Sequence, residues 1–271
     1  MKLLSVLSVT GEAYRFVWHE RHLLWRLALP GLIVLVLADA AGLALPFGRG
    51  LLWSIAKLIL YAGIVILYSV AWHRAYLIPG EPIHPKSAYR WQQRQTKFLM
   101  NYVKTTLVVV PIFLIGSFVA GLLATPFAGG GGTRISTFAF VWLIGTQMAV
   151  WIVVGAISAR LSLLFPATAV DEHMDLGTGW SLTYGNGLRL LGIIILSAVP
   201  FWIAYLPVQL ATYAGISLVG LRSSLTANLL LAILEQGLGL VAVAIGVSAL
   251  SIAYRRIRVP PVDAAPATTP P

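Results

Sequence analysis

Asp171, Glu172, His173 and Asp175 crowd into five consecutive positions of a chain that has only nine Asp and Glu among its 271 residues. Carboxylates and an imidazole suit a divalent cation such as Mg, Mn or Zn. Spacings of one and two residues on a short loop seldom converge on one ion, however, and the sequence offers no second ligand cluster. A helix start is the alternative, because its free N–H groups and positive dipole end favour acids. That reading accounts for all three acids without a metal or a cofactor.

Three more ionisable residues draw attention through their surroundings. Asp39, Lys57 and Glu235 each interrupt an apolar run, and a charge at the centre of a bilayer costs about 2.5 to 3.5 kcal/mol on insertion scales. Asp39 and Lys57 lie nine residues or so either side of Phe47 and Gly48. A hairpin turning there sets them at equal depth, which predicts an ion pair that either fixes hairpin register or belongs to a site. Glu235 has no cation on its own hairpin, so it shares Lys57, faces a water cavity or holds a proton. If the chain transports anything, Glu235→Leu is expected to abolish it. Gln236 follows directly, and Gln147 in "FVWLIGTQMAVW" is placed to hydrogen-bond between helices.

The elements that must position these residues follow from composition. The chain is 58% hydrophobic and 10% charged, against about 25% charged in a soluble domain. Six apolar segments reach the ~20 residues a bilayer-spanning helix needs, at about 23–45, 51–72, 99–123, 136–158, 190–213 and 227–252. Backbone amides find no water in hydrocarbon, so these runs must be helical. The expected fold is an all-α polytopic membrane protein of residues 1–258, with six transmembrane helices as three hairpins (23–72, 99–158, 190–252). Amphipathic interfacial segments at 2–20, 83–97 and 171–187 precede the hairpins, and a Pro/Ala/Thr-rich tail, 259–271, is too polar to bury. The first segment resembles a signal peptide in its early lysine but has no small-x-small cleavage site. It reads as an interfacial helix with Leu3, Leu7, Tyr14 and Val17 facing lipid and Trp18 and Trp25 at headgroup level. Span 6 carries Gly237, Gly239, Ala242, Ala244 and Gly246 as an expected close-packing face.

The net charge of +10 decides orientation rather than nucleic-acid binding. Fifteen of the nineteen basic residues fall on the side holding both termini, while Arg49, Arg134 and Arg222 fall opposite and Lys57 within span 2. By the positive-inside rule both termini are cytoplasmic, and the basic surplus attracts anionic headgroups of that leaflet. With no cysteine, disulfides and thiolate metal sites are excluded.

The hairpins also look alike. Trp91 and Pro111 are twenty residues apart, as are Trp180 and Pro200, and each even span ends in a basic residue five or six positions before Pro79, Pro166 or Pro260. This predicts a triplicated unit with a period near 90 residues.

The second loop on the terminal side carries "ARLSLLFPATAVD" and, ten residues on, "GWSLTYGNGLRLLGIIIL". This resembles the YciC-like family of bacterial six-span inner-membrane proteins and the membrane domain attached to some glycerophosphoryl diester phosphodiesterases. There an arginine-bearing span ends in Leu-Pro-Ala, and a "SW-x-LT-x-G-x-x-W/L-R" stretch opens the next helix. The matching residues are Arg160, Pro166, Ala167, Trp180, Ser181, Leu182, Thr183, Gly185, Asn186 and Arg189. The Gly-Trp-Ser order departs from the usual Ser-Trp, and these 271 residues include no phosphodiesterase domain, so no catalysis carries over. The resemblance implies an inner-membrane scaffold or envelope-lipid component. Arg189 is expected to snorkel to the interface, and Arg160 to pair with Asp171 or Asp175.

No HExxH, GxSxG, Walker or strand-borne GxGxxG motif occurs. The expected function is therefore non-enzymatic, a bacterial inner-membrane component that binds lipids or a membrane protein complex. The alternative is a small permease built on Glu235, Asp39 and Lys57.

Overall fold

A computed structural model describes residues 3–45, 50–125, 137–218 and 225–258. Lys2, Arg49, Arg134, Arg222, the glycine run 129–132 and the 259–271 tail lie outside the described residues.

Those residues form helices throughout. Helix α1 (Val6–His19) leads into the hairpin α2 (Arg21–Ala44) and α3 (Leu51–Leu77); the one-turn α4 (Pro85–Ala88) precedes α5 (Gln93–Ala124) and α6 (Thr137–Leu161); α7 (Leu164–Ala169) and α8 (Leu176–Leu182) precede α9 (Gly187–Leu218) and α10 (Leu225–Arg258). Six helices are long and apolar enough to cross a membrane, with mean hydropathies of 2.0 to 2.5. The molecule is thus an all-α polytopic membrane protein of three hairpins. Prolines sit inside α2, α5 and α9, as membrane helices tolerate where neighbours satisfy the freed carbonyls.

Helix α10 is the axis of the bundle and lies against α1, α2, α3, α7 and α9. Its 34 residues span about 51 Å at 1.5 Å each, well beyond a ~30 Å hydrocarbon core. Its last turn, with Arg255, Arg256 and Arg258, therefore projects from what we call the basic end, the end that also holds α1. Several helices outrun their apolar segments there because the extra turns are packed rather than solvated: His73 is 1% exposed and Tyr254 4%. At the edge, the apolar window of α5 is only 6% buried, leaving that helix to lipid.

Two large clusters and a small third, Ile66, Val70, Phe98 and Ala169, make the core. At the basic end Leu163, Leu164, Leu190, Ile193 and Ile252 close around Val9 and Ala13 of α1. Above them Leu27, Tyr68, Trp72, Leu240 and Ala244 join the first hairpin to α10. The two clusters together correct the expected face of the first segment. Leu3, Leu7, Trp18 and Trp25 are exposed, but Val17 is buried and the Tyr14 hydroxyl donates to the Ser197 carbonyl at 2.8 Å, in the turn that Pro200 interrupts. Helix α1 is seated on the bundle, because Val9, Ala13 and Val17 find apolar partners there.

The small-residue face of α10 is also shifted. A Cβ at Gly237 or Gly246 would meet nothing within 4 Å, and at Gly239 only the Tyr61 hydroxyl at 3.9 Å. Of the expected face Ala244 does pack closely, and the line continues through Ser248 and Ser251, all three fully buried. Trp72 Nε1 donates to Ser248 Oγ at 2.8 Å, and His73 Nδ1 lies 2.7 Å from Ser251 Oγ. Both serines donate to their own helix, to Ala244 and Val247 carbonyls, so each is left to accept from α3. His73 therefore carries its proton on Nδ1 toward the serine.

Candidate functional site

Asp39 stands in the last turns of α2 and Lys57 in the second turn of α3. They form an ion pair through Asp39 Oδ1, at the equal depth the hairpin requires. The other carboxylate oxygen, Oδ2, accepts from Gln236 Nε2 of α10 at 3.1 Å. Glu235, the neighbour of Gln236, turns about 100° around the helix and accepts from Gln209 Nε2 of α9 at 3.2 Å. Of these two consecutive residues of α10, Gln236 thus ties hairpin 3 to hairpin 1, and Glu235 ties α10 to α9 within hairpin 3.

A cleft of about 680 Å³ opens over this group, lined by Asp39, Trp53, Lys57, Tyr61, Asn228 and Glu235 among others. Trp53 forms one wall by lying against Gly42, where a Cβ would come within 2.6 Å of Trp53 Nε1. The opposite direction is closed by the packed Tyr68, Trp72, Leu240 and Ala244. The cleft is consequently a blind site at the turn end. It offers one ammonium and two carboxyls between apolar walls that include Leu43 and Leu58, 42% and 66% exposed. Gln147 lies elsewhere and donates to Ser117 Oγ at 3.1 Å, joining α6 to α5.

The motif residues assemble at the basic end and hold structure together. Arg160 lies with its guanidinium 3.5 Å over the Trp180 ring, donates to the Trp180 carbonyl at 2.7 Å and to Thr183 Oγ1 at 3.3 Å. Gly187 lets it pass, since a Cβ there would come within 3.0 Å of the arginine stem. Arg160 therefore pairs with neither Asp171 nor Asp175: stacking on Trp180 and two hydrogen bonds already hold it. Gly185 takes a left-handed φ of 74° and delivers buried Asn186 to the N-terminal segment. Asn186 Oδ1 accepts from the Leu4 N–H at 2.9 Å, and Arg189 donates to the Leu4 carbonyl at 2.7 Å. Asn186 and Arg189 together hold both backbone polar groups of Leu4, and Arg189 itself stays exposed. Pro166 and Ala167 are buried in α7.

The acidic loop separates by role. Asp171, at φ 62°, is bound by Arg74 at 3.1 Å and approached by Arg94 at 3.7 Å. Arg74 also holds Glu81 at 2.7 Å and the Ala169 carbonyl at 3.0 Å. Glu172 accepts from Arg258 and the Tyr254 hydroxyl. These two acids are therefore arginine anchors, not helix-start residues, because α8 begins only after them. Asp175 alone caps α8, accepting the Thr178 N–H at 2.7 Å. Among the described residues no three His, Asp or Glu side chains converge on a metal position.

Hydrogen bonds from the Thr178 hydroxyl and N–H hold the Asp175 carboxyl below the usual carboxylate range. With the folded value depressed, the cap's contribution is complete above the unfolded pKa of about 3.9 and is lost as pH falls through the folded value. The amide-exchange protection of Thr178 is expected to stay level above that pH and to drop below it. In Asp175→Ala it should be low at every pH.

The fold and the cleft define the molecule as a six-span helical membrane protein with an intramembrane polar site at its turn end. Comparison with protein-family models, with curated proteins and with solved structures returned no match.

Proposed function

We propose that the chain is a non-enzymatic component of the bacterial inner membrane, with both termini cytoplasmic, that binds a zwitterionic amphiphile in the cleft at its turn end. The carrying observation is the placement of Lys57, Asp39 and Glu235 in one blind cleft whose walls are apolar. A headgroup bearing a phosphate and an ammonium matches this set, the phosphate drawn to Lys57 and the ammonium to Glu235. Leu43, Trp53 and Leu58 then cover the first carbons of the acyl chains. Such retention fits an accessory or scaffold role toward lipids or a membrane complex. Its likeness in layout to the YciC-like proteins accords with that role.

Native mass spectrometry of the protein released from mixed-lipid nanodiscs tests this. Phosphatidylethanolamine is expected to be retained over phosphatidylcholine, whose methylated ammonium donates no hydrogen bond, and Glu235→Gln should erase that preference. A wild-type preference that survives Glu235→Gln would refute the assignment. A second reading, a small permease, is favoured by one observation: Glu235, inside a span, reaches the cleft with a single neutral hydrogen-bond partner among the described residues, Gln209. Uptake into proteoliposomes that Glu235→Leu abolishes would select it.

A further inference from the structure

The first turns of α5 face the segment 168–175 at the basic end, and a groove of about 410 Å³ runs between them. Lys97 and Lys104 stand on its α5 side, about 10.5 Å apart along the helix. Both are exposed, and among the described residues neither enters an ion pair or hydrogen bond. The groove is bridged where Asn101 Nδ2 donates to Thr168 Oγ1 at 2.8 Å.

The opposite wall carries Asp171, Glu172 and Asp175, which at first sight would satisfy the lysines. Each is already engaged. Asp171 is held by Arg74 and Arg94, Glu172 by Arg258 and Tyr254, and Asp175 by the start of α8. With Glu81, which Arg74 also holds, five cations thus face four committed carboxylates, with His173 as a further titratable lining residue, and the field left in the groove is positive. Between and beyond the lysines, on the same helical face at spacings of three, four and three, stand Met100 and Leu107, 50% and 68% exposed. A charged head and an apolar tail are therefore catered for along one line.

We propose that this groove binds an anionic glycerophospholipid, its phosphodiester drawn to Lys97 and Lys104 and its acyl chains lying along Met100 and Leu107. The site is at the end of the bundle away from the cleft and takes a net anionic rather than a zwitterionic headgroup, so it stands independently of the function proposed above.

The full chain in nanodiscs of phosphatidylcholine with a minor share of phosphatidylglycerol provides the test, read as phosphatidylglycerol carried by the released protein. Wild type is expected to be enriched over the bulk ratio. Lys97→Gln with Lys104→Gln should weaken relative affinity roughly thirtyfold, the effect of losing two interfacial cations. Lys86→Gln with Arg90→Gln, an equal charge change outside the groove, should leave the enrichment intact. Equal loss in both double variants would show diffuse attraction and overturn the site, as would full retention without Lys97 and Lys104. Delipidated protein whose thermal midpoint responds to inorganic phosphate but not to phosphatidylglycerol would assign soluble phosphate and overturn the lipid. The thermal midpoint of each variant in detergent verifies that it is folded.

Discussion

Asp39→Leu is expected to destabilise the protein by about 3 kcal/mol, the usual cost of leaving one member of a sequestered ion pair without the other. The variant strands Lys57 inside a span and removes the acceptor of Gln236, loosening hairpin 1 from α10 as well as α2 from α3. Asp39→Leu combined with Lys57→Leu should recover most of the loss, because an apolar pair of similar volume carries no desolvation cost. Tryptophan fluorescence during heating in detergent reads both, and a double-mutant cycle isolates the coupling. If Asp39→Leu melts like wild type, the pair holds nothing together. Should the double variant recover stability but lose phosphatidylethanolamine retention, the pair serves binding rather than register.

Asn186→Leu should release the N-terminal helix. The side chain is fully buried and receives the Leu4 N–H, so leucine leaves that donor without its acceptor at a cost of about 1–3 kcal/mol. Hydrogen exchange should rise throughout 4–19 while α9 and α10 keep their protection. Arg189→Leu should do the same from the carbonyl side of Leu4, and the two changes should be less than additive, because either one opens the same seat. Unchanged exchange at Leu4 in Asn186→Leu would show that apolar packing of Val9 and Ala13 suffices.

Six spans were legible because length and hydropathy are local properties, and the Asp39–Lys57 pair because both residues count from one turn. The partners of Glu235 and Gln236 were not, since Gln209 lies in the same hairpin as Glu235 but at a register the outer turn does not reveal, and Gln236 reaches across to Asp39 of hairpin 1. The Trp72–Ser248 and His73–Ser251 contacts depend on which hairpins adjoin. A hint existed in the serines of span 6, which recur with Ala244 at helical spacing on one face. The roles of Asp171 and Glu172 are hidden for a similar reason. Their arginines come from α3, α5 and α10, and no local pattern distinguishes an anchor from a cap. The sequence points Val17 to lipid because an isolated amphipathic helix has only one apolar surface to bury in, whereas here the bundle offers another.

The two-sided grip on Leu4 also dictates an order of events. Its partners lie 182 and 185 residues further along the chain, and Arg256 reaches Ser8 across 248. Contacts so distant in sequence close late and slowly. On the ribosome, hairpins 1 and 2 enter the membrane while α1 has only its contacts with hairpin 1, Phe16 on Trp72 and Tyr76 and Glu12 with Tyr76, and its seat is complete only when α9 and α10 have followed. Helix α1 then acts as a latch on completed synthesis: a chain arrested before residue 186 keeps its first helix half-seated, more open to proteases than in the finished bundle.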